Sequence, residues 1–172
     1  MAGSGKSTQG KLLAERIGCI WESSGDLHRK KLTGPAREDM LSGKLIRDEV
    51  TLAFLAEEFE KMHVDGTEFV FDGFPRSLKQ AEWLVDNVRN GKIKMTGIIH
   101  LVAHKEIALE RLMHRSRKDD TEPAIARRLS DYEQTILPIL DYLRSEGMPV
   151  FDIEADDSIK EVELKIDEAL GV

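Results

Sequence analysis

The chain lacks most of what builds specialised architectures. It has one cysteine, Cys19, in 172 residues, which excludes a disulfide framework and a cysteine-built zinc cluster. No apolar run approaches the ~20 residues that cross a bilayer, and the start lacks the pattern of a secretion signal. Basic residues are the minority, 25 Lys and Arg against 32 Asp and Glu, for a net charge of −7. That balance excludes a general affinity for nucleic acid, so any basic patch is local. There is no internal repeat and no low-complexity stretch. What remains is an ordinary globular composition, 41% hydrophobic and 33% charged, long enough for one domain with a sizeable core. A reducing cytoplasm is the simplest home for it.

The first eight residues, Met1-Ala2-Gly3-Ser4-Gly5-Lys6-Ser7-Thr8, carry the end of a phosphate-binding loop, G-x-x-x-x-G-K-[ST]. Successive backbone N–H groups of such a turn form a concave anion site. The helix behind it adds the positive end of its dipole. Lys6 supplies a mobile charge for the terminal phosphates, and Ser7 or Thr8 a hydroxyl for Mg²⁺. Leu12, Leu13, Arg16 and Ile17 fit a helix with an apolar face, and Gly18 stands where that helix should stop.

Apolar runs then alternate with amphipathic stretches, the pattern of an α/β domain with a parallel sheet flanked by helices. Strands are expected at Cys19–Glu22, Glu68–Asp72, Gly97–Ala103 and Met148–Ile153. Helical core stripes are expected at Leu52/Leu55/Phe59/Met62, Ala81/Leu84/Val85/Val88, Ile125/Leu129/Tyr132/Ile136 and Val162/Ile166/Ala169. Pro138 should bend or interrupt its helix. Ligands of such sheets bind at the carboxyl ends of the strands. Two segments there, residues 23–29 (SSGDLHR) and 72–76 (DGFPR), pair a glycine with an acid and an arginine. Each reads equally as a phosphate grip and as a turn with a helix cap.

Residues 111–128 gather Arg111, Arg115, Arg117, Arg127 and Arg128. Arg111 and Arg115 share a helix face. The nearby acids Glu110, Asp119, Asp120 and Glu122 allow a salt-bridged surface. Phosphoryl transfer, however, needs several fixed positive charges around the migrating group and little covalent help.

Taken in order, the motifs GSGKSTQGKLLA, SSGDLHR, GKLIRDE, DGFPRSLKQA, Arg111/Arg115, SRKDD and RRLSDYEQ make the chain resemble the adenylate kinases of the nucleoside monophosphate kinase family. The resemblance runs from Gly3 to near the C-terminus. It implies a P-loop kinase fold of three α/β/α layers and reversible transfer of the γ-phosphoryl of Mg·ATP to AMP, giving two ADP. Residues 1–172 form one kinase domain on this reading, with an acceptor-binding insert at about 23–52 and a very short lid at about 115–122.

Carried onto this chain, the resemblance makes Gly3, Ser4, Gly5, Lys6, Ser7 and Thr8 the ATP phosphate cradle, with Arg111 and Arg115 beside it. AMP would lie against Ser24, Arg29, Lys44, Leu45, Ile46, Gly73, Phe74, Pro75 and Arg76. Gln80 would read the adenine edge, and Arg117 and Arg128 would bridge the phosphates on closure. Lys6, Arg76, Arg111, Arg115, Arg117 and Arg128 are then the catalytic cations, and Asp72 holds Mg²⁺ through water. Asp119 and Asp120 would anchor lid arginines, with Gly43 and Gly73 as flexible points. The implied partners are ATP, AMP and ADP, with no nucleic acid, no membrane and a monomeric state. UMP or CMP as acceptor, and nucleotide binding with little catalysis, are the alternatives.

The chain departs from that pattern in four ways. The first loop glycine and the strand expected before it are absent, and that strand is central in the family's sheet. Loss of several apolar side chains, each worth about 1.5–3 kcal/mol, leads to the expectation of a weakly stable, weakly active chain and a start assigned inside the loop. Only Ser116 separates Arg115 from Arg117, which leaves no zinc-binding lid. Ser24 stands where threonine is common, and Ser7 where glycine is usual.

Overall fold

The structure, a computed structural model, describes residues 1–42, 46–62, 68–114 and 121–172, with the backbone alone at residues 60–62. Lys44, Leu45, Arg115, Arg117, Asp119, Asp120 and the possible hinge Gly43 lie outside the described residues, as does the Met62 side chain.

The first helix, α1 (Lys6–Ile17), starts directly at the loop lysine, with Gly5 in the left-handed region at φ 90°. It ends where expected: Gly18 takes φ 71° and closes the last turn onto the Ala14 carbonyl. Strand β1 (Ile20–Ser23) leads into α2 (Ser24–Lys31), and α3 (Gly34–Leu41) and α4 (Asp48–Met62) follow. Strand β2 (Phe69–Asp72), α5 (Leu78–Arg89), β3 (Ile98–Val102) and α6 (Lys105–His114) continue the alternation. The chain closes with α7 (Glu122–Asp131), a π-helical turn (Tyr132–Ile136), α8 (Leu137–Ser145), β4 (Val150–Glu154) and α9 (Ile159–Leu170). The expected strands are all present, each shifted by one or two residues at one or both ends.

The chain is α/β with parallel strands flanked by helices. Its parallel strands fall into two pairs. β1 pairs in parallel with β2, Ile20 opposite Phe69 through Ser23 opposite Asp72. β3 pairs in parallel with β4, Ile98 opposite Val150 through Val102 opposite Glu154. Among the described residues these are two separate two-stranded sheets. Between them opens a cavity of about 1020 Å³, lined by Val70 and Phe71 on one side and Ile99 and Leu101 on the other. Parallel pairing is non-local, so a strand's partners cannot be read from its own residues.

Two apolar clusters frame that cavity. Leu13, Leu101, Ile153, Val162 and Ile166 join α1 and α9 to β3 and β4. Ala81, Leu84, Val85, Ile139 and Leu143 join α5 to α8. Ala81, Leu84, Val85, Val162 and Ile166 belong to the predicted helical stripes, whose spacing buries one face of each helix. A third cluster, Leu112, Ile125 and Leu129, docks α7 on α6. The Pro138 expectation holds in a specific form. Proline has no N–H for the Gln134 carbonyl, and its ring crowds that turn. The helix widens just before it, and the Leu137 N–H reaches back five residues to the Tyr132 carbonyl. None of the described helices is long and apolar enough to cross a membrane.

Candidate active site

The loop residues are held by the start of the chain and by α6. Ser4 is 1% exposed and donates from Oγ to the Met1 carbonyl at 2.9 Å. The Lys6 ammonium donates to the same carbonyl. Gly3 sits at φ 80°, and a Cβ there would lie 2.3 Å from the Ala108 carbonyl oxygen. Only glycine lets the loop approach α6 this closely. Of the two candidate hydroxyls, Ser7 Oγ donates to Asp72 Oδ2 at 2.5 Å, whereas Thr8 is exposed.

Asp72, 8% exposed, ends β2, and the turn after it carries the next group of side chains. Gly73 sits at φ 81°, and its carbonyl accepts from Arg76 Nε at 2.6 Å and from Ser24 Oγ at 2.7 Å. Arg76 is half-buried. Burial pushes its guanidinium down from the usual range, Asp72 pulls it up, and Arg128 and Arg29 push it down again. These influences mark Arg76, Arg29 and Arg128 as neighbours, although they are far apart in sequence. The buried Met1 amine is pushed down to about 4, chiefly by burial and then by the charges of Lys6 and Arg76. The loop lysine and Arg76 therefore share one positive field.

The acceptor-side candidates surround this turn. Arg29 is paired with Asp26 at 2.6 Å. Gln80, 4% exposed, accepts from the Arg76 backbone N–H at 2.8 Å and donates to Asp48 Oδ1 at 2.8 Å. Phe74 stands edge-on to Phe71 and Trp83, and the Phe74–Pro75 peptide is cis. Lys6, Ser7, Ser24, Arg29, Ile46, Asp72, Gly73, Phe74, Pro75, Arg76, Gln80 and Arg128 all line the one cavity. Arg111 does not. Its guanidinium donates to the Ala155 carbonyl at 2.7 Å and the Asp156 carbonyl at 3.3 Å. It borders a separate hollow of about 560 Å³ with Ile107, His114 and Asp156.

Two residues beside the acceptor candidates were not singled out by the sequence. Asp48, in the first turn of α4, takes hydrogen bonds from both Gln80 and Ser77. Its signal was the acid inside GKLIRDE. His28 faces Thr51 Oγ1 at 3.1 Å and is pushed down to about 4 by burial, then by Arg76 and Arg29. A histidine following the acid of SSGDLHR gave no hint of this in isolation.

The arrangement can hold two anions. One faces a loop with a lysine and a hydroxyl–carboxylate pair, and the other the arginines Arg29, Arg76 and Arg128, which line the same cavity. Among the described residues no group of three His, Cys, Asp or Glu forms a metal cluster. The oxygen pair Ser7–Asp72 has the hard donors that Mg²⁺ prefers, and Mg²⁺ commonly takes only one or two protein ligands beside phosphates and water.

The family model described as adenylate kinase matches residues 1–148. An adenylate kinase of Prochlorococcus marinus is 34% identical, over 99% of this chain and 93% of its own length. One from Corynebacterium urealyticum is 30% identical, over 93% of this chain and 90% of its own. One from a Mycobacterium species is 31% identical, over 98% and 94%.

Proposed function

This chain belongs to the adenylate kinase family, and we propose that it transfers the γ-phosphoryl of Mg·ATP to AMP, reversibly, to form two ADP. The observation that carries the reading is the single cavity on which Lys6, Ser7 and Asp72 meet Arg76 and Arg128. On this reading the loop from Gly3 to Thr8 holds the donor phosphates, with Lys6 as its main cation. Ser24, Arg29, Ile46, Gly73, Phe74, Pro75, Arg76 and Gln80 hold the acceptor, with Lys44 and Leu45 alongside. Residues 23–52 form the acceptor-binding insert and residues 115–122 a short lid carrying Arg115 and Arg117. Arg111 serves the donor side. The same reading takes the enzyme as a cytoplasmic monomer.

Arg76 and Arg128 repel each other in the free protein. A phosphate between them relieves that repulsion, so the site favours the most negative arrangement of the two nucleotides. Charge developing on the migrating group is met by cations already in position, which is where most of the barrier reduction for phosphoryl transfer arises. The acceptor phosphate is an anion at neutral pH, and no general base is required. Exclusion of water keeps ATP from being hydrolysed instead. Ser7 and Asp72 would hold Mg²⁺, Asp72 through water, and the ion when bound neutralises charge on the donor phosphates.

The test supplies ATP with AMP, CMP, UMP or dAMP and follows diphosphate formation. AMP should be the preferred acceptor, and a preference for a pyrimidine would overturn that assignment. Lys6→Met should lower kcat at least about 100-fold; unchanged turnover would overturn the mechanism.

A further inference from the structure

From the cavity wall to the surface runs a chain of polar groups for which the proposed reaction gives no role. Arg144 of α8 donates to both carboxylate oxygens of Asp152 on β4, at 2.8 and 2.7 Å. Asp152 Oδ1 faces His100 Nδ1 on β3 at 2.7 Å. His100 Nε2 faces the Tyr132 hydroxyl at 2.6 Å, and the two rings stack with centroids 5.8 Å apart. His100 is 8% exposed, and burial pushes its imidazole down, toward the neutral form at neutral pH. A carboxylate can only accept, so Nδ1 carries the proton and Nε2 accepts from Tyr132. The orientation of every group in the chain follows from the one before it.

Tyr132 matters because of where it sits. It follows Arg128 by four residues along one right-handed helical turn (Tyr132 φ −61°, ψ −51°), so the two side chains share a face, and both line the cavity. It is also the first residue of the π-helical turn, whose carbonyl receives the Leu137 N–H. Such local departures from α geometry re-aim the side chains next to them. Tyr132 thus ties the end of α7 to β3, one helical turn from Arg128.

We propose that His100 is a positioning residue: held by Asp152, it fixes Tyr132 and thereby aims Arg128 at the phosphates. The proposal rests on the nucleotide site of the phosphotransfer reading, in which Arg128 touches the phosphates. It assigns a function to a β-strand histidine that lies outside both nucleotide-binding candidate sets.

The experiment is a double-mutant cycle. Tyr132→Phe removes one hydroxyl and keeps the stacked ring, so it tests the idea even where His100→Phe folds poorly. Each substitution should lower kcat roughly 10- to 100-fold, the scale of a misplaced group remote from the chemistry, with a far smaller change in the KM for ATP. His100→Gln, whose amide oxygen can accept from Tyr132, should recover most of the loss. In an Arg128→Ala background neither Tyr132→Phe nor His100→Phe should cost anything more. An unchanged kcat, or the same fold-loss in both backgrounds, overturns the proposal. If the unsubstituted chain makes no ADP from ATP and AMP, the phosphotransfer reading has failed. The same cycle read in ADP affinity then decides the positioning role: coupling between Arg128 and Tyr132 upholds it and additivity overturns it.

Discussion

The Ser7 hydroxyl donates to the Asp72 carboxylate across 2.5 Å, joining the first turn of α1 to the carboxyl end of β2. One residue follows the loop lysine and the other ends β2, just before the turn that carries Arg76. On the proposed reading the bond couples the donor side of the cavity to its acceptor side.

Ser7→Ala and Asp72→Asn should each weaken Mg²⁺ activation. Partners that orient an ion's waters typically contribute 10–100-fold to its affinity. Titrating Mg²⁺ at fixed ATP should show the half-activating concentration raised roughly tenfold or more in either variant, with ATP binding in the absence of the ion little altered. Unmoved half-activation in both variants would remove the pair from the metal site.

Gly73→Ala should damage acceptor binding more than folding. The residue sits at φ 81°, where an added Cβ costs about 1–2 kcal/mol. That Cβ would lie 2.5 Å from Arg76 Nη2 and 3.0 Å from Ser24 Oγ. The end of a long side chain can yield, and here its yielding moves the guanidinium. A charged hydrogen bond contributes about 1.5–3 kcal/mol, so the KM for AMP should rise roughly 10- to 100-fold. The thermal midpoint should fall by only a few degrees for a loss of about 1–2 kcal/mol in a chain of this size.

His28 should make stability depend on pH in the acid range. Its ordinary value is 6.5 and the folded value about 4. Between those limits the unfolded chain binds a proton that the folded chain refuses, so stability falls as pH drops from about 6.5 towards 4. Above 6.5 the contribution is fully present and flat. His28→Leu should flatten this part of the melting-temperature profile, and an unchanged slope in that variant would refute the assignment.

Much of the fold was legible because its signals are local. Gly18 could be named as a helix stop because an L-residue with a side chain resists the left-handed turn that it adopts. The Leu84/Val85 and Val162/Ile166 stripes could be named as core because helical spacing alone puts them on one face. Pro138 announced a break, but the π-helical form of that break depends on how the preceding carbonyls are satisfied, which spacing does not reveal. The Ser7–Asp72 and His100–Tyr132 pairs join residues 65 and 32 positions apart. Sequence could offer Ser7, Asp72 and Arg76 as candidates by chemical type. It placed Asp48 only inside a motif and Tyr132 only on a core stripe, and it did not single out His100; the roles of all three arise from what they touch.

The division of the strands into two pairs governs how the molecule opens. β1 with β2 and β3 with β4 are separate hydrogen-bonded ladders across a cavity, and side-chain packing ties them, through Leu13 of α1 against Leu101, Ile153 and Val70. Native-state hydrogen exchange should resolve two opening free energies, one shared by the amides of residues 20–23 and 69–72 and the other by those of 98–102 and 150–154. A single common value would mean that the helices enforce all-or-none unfolding. Nucleotides bound in the cavity that both ladders line should raise both values and draw them together.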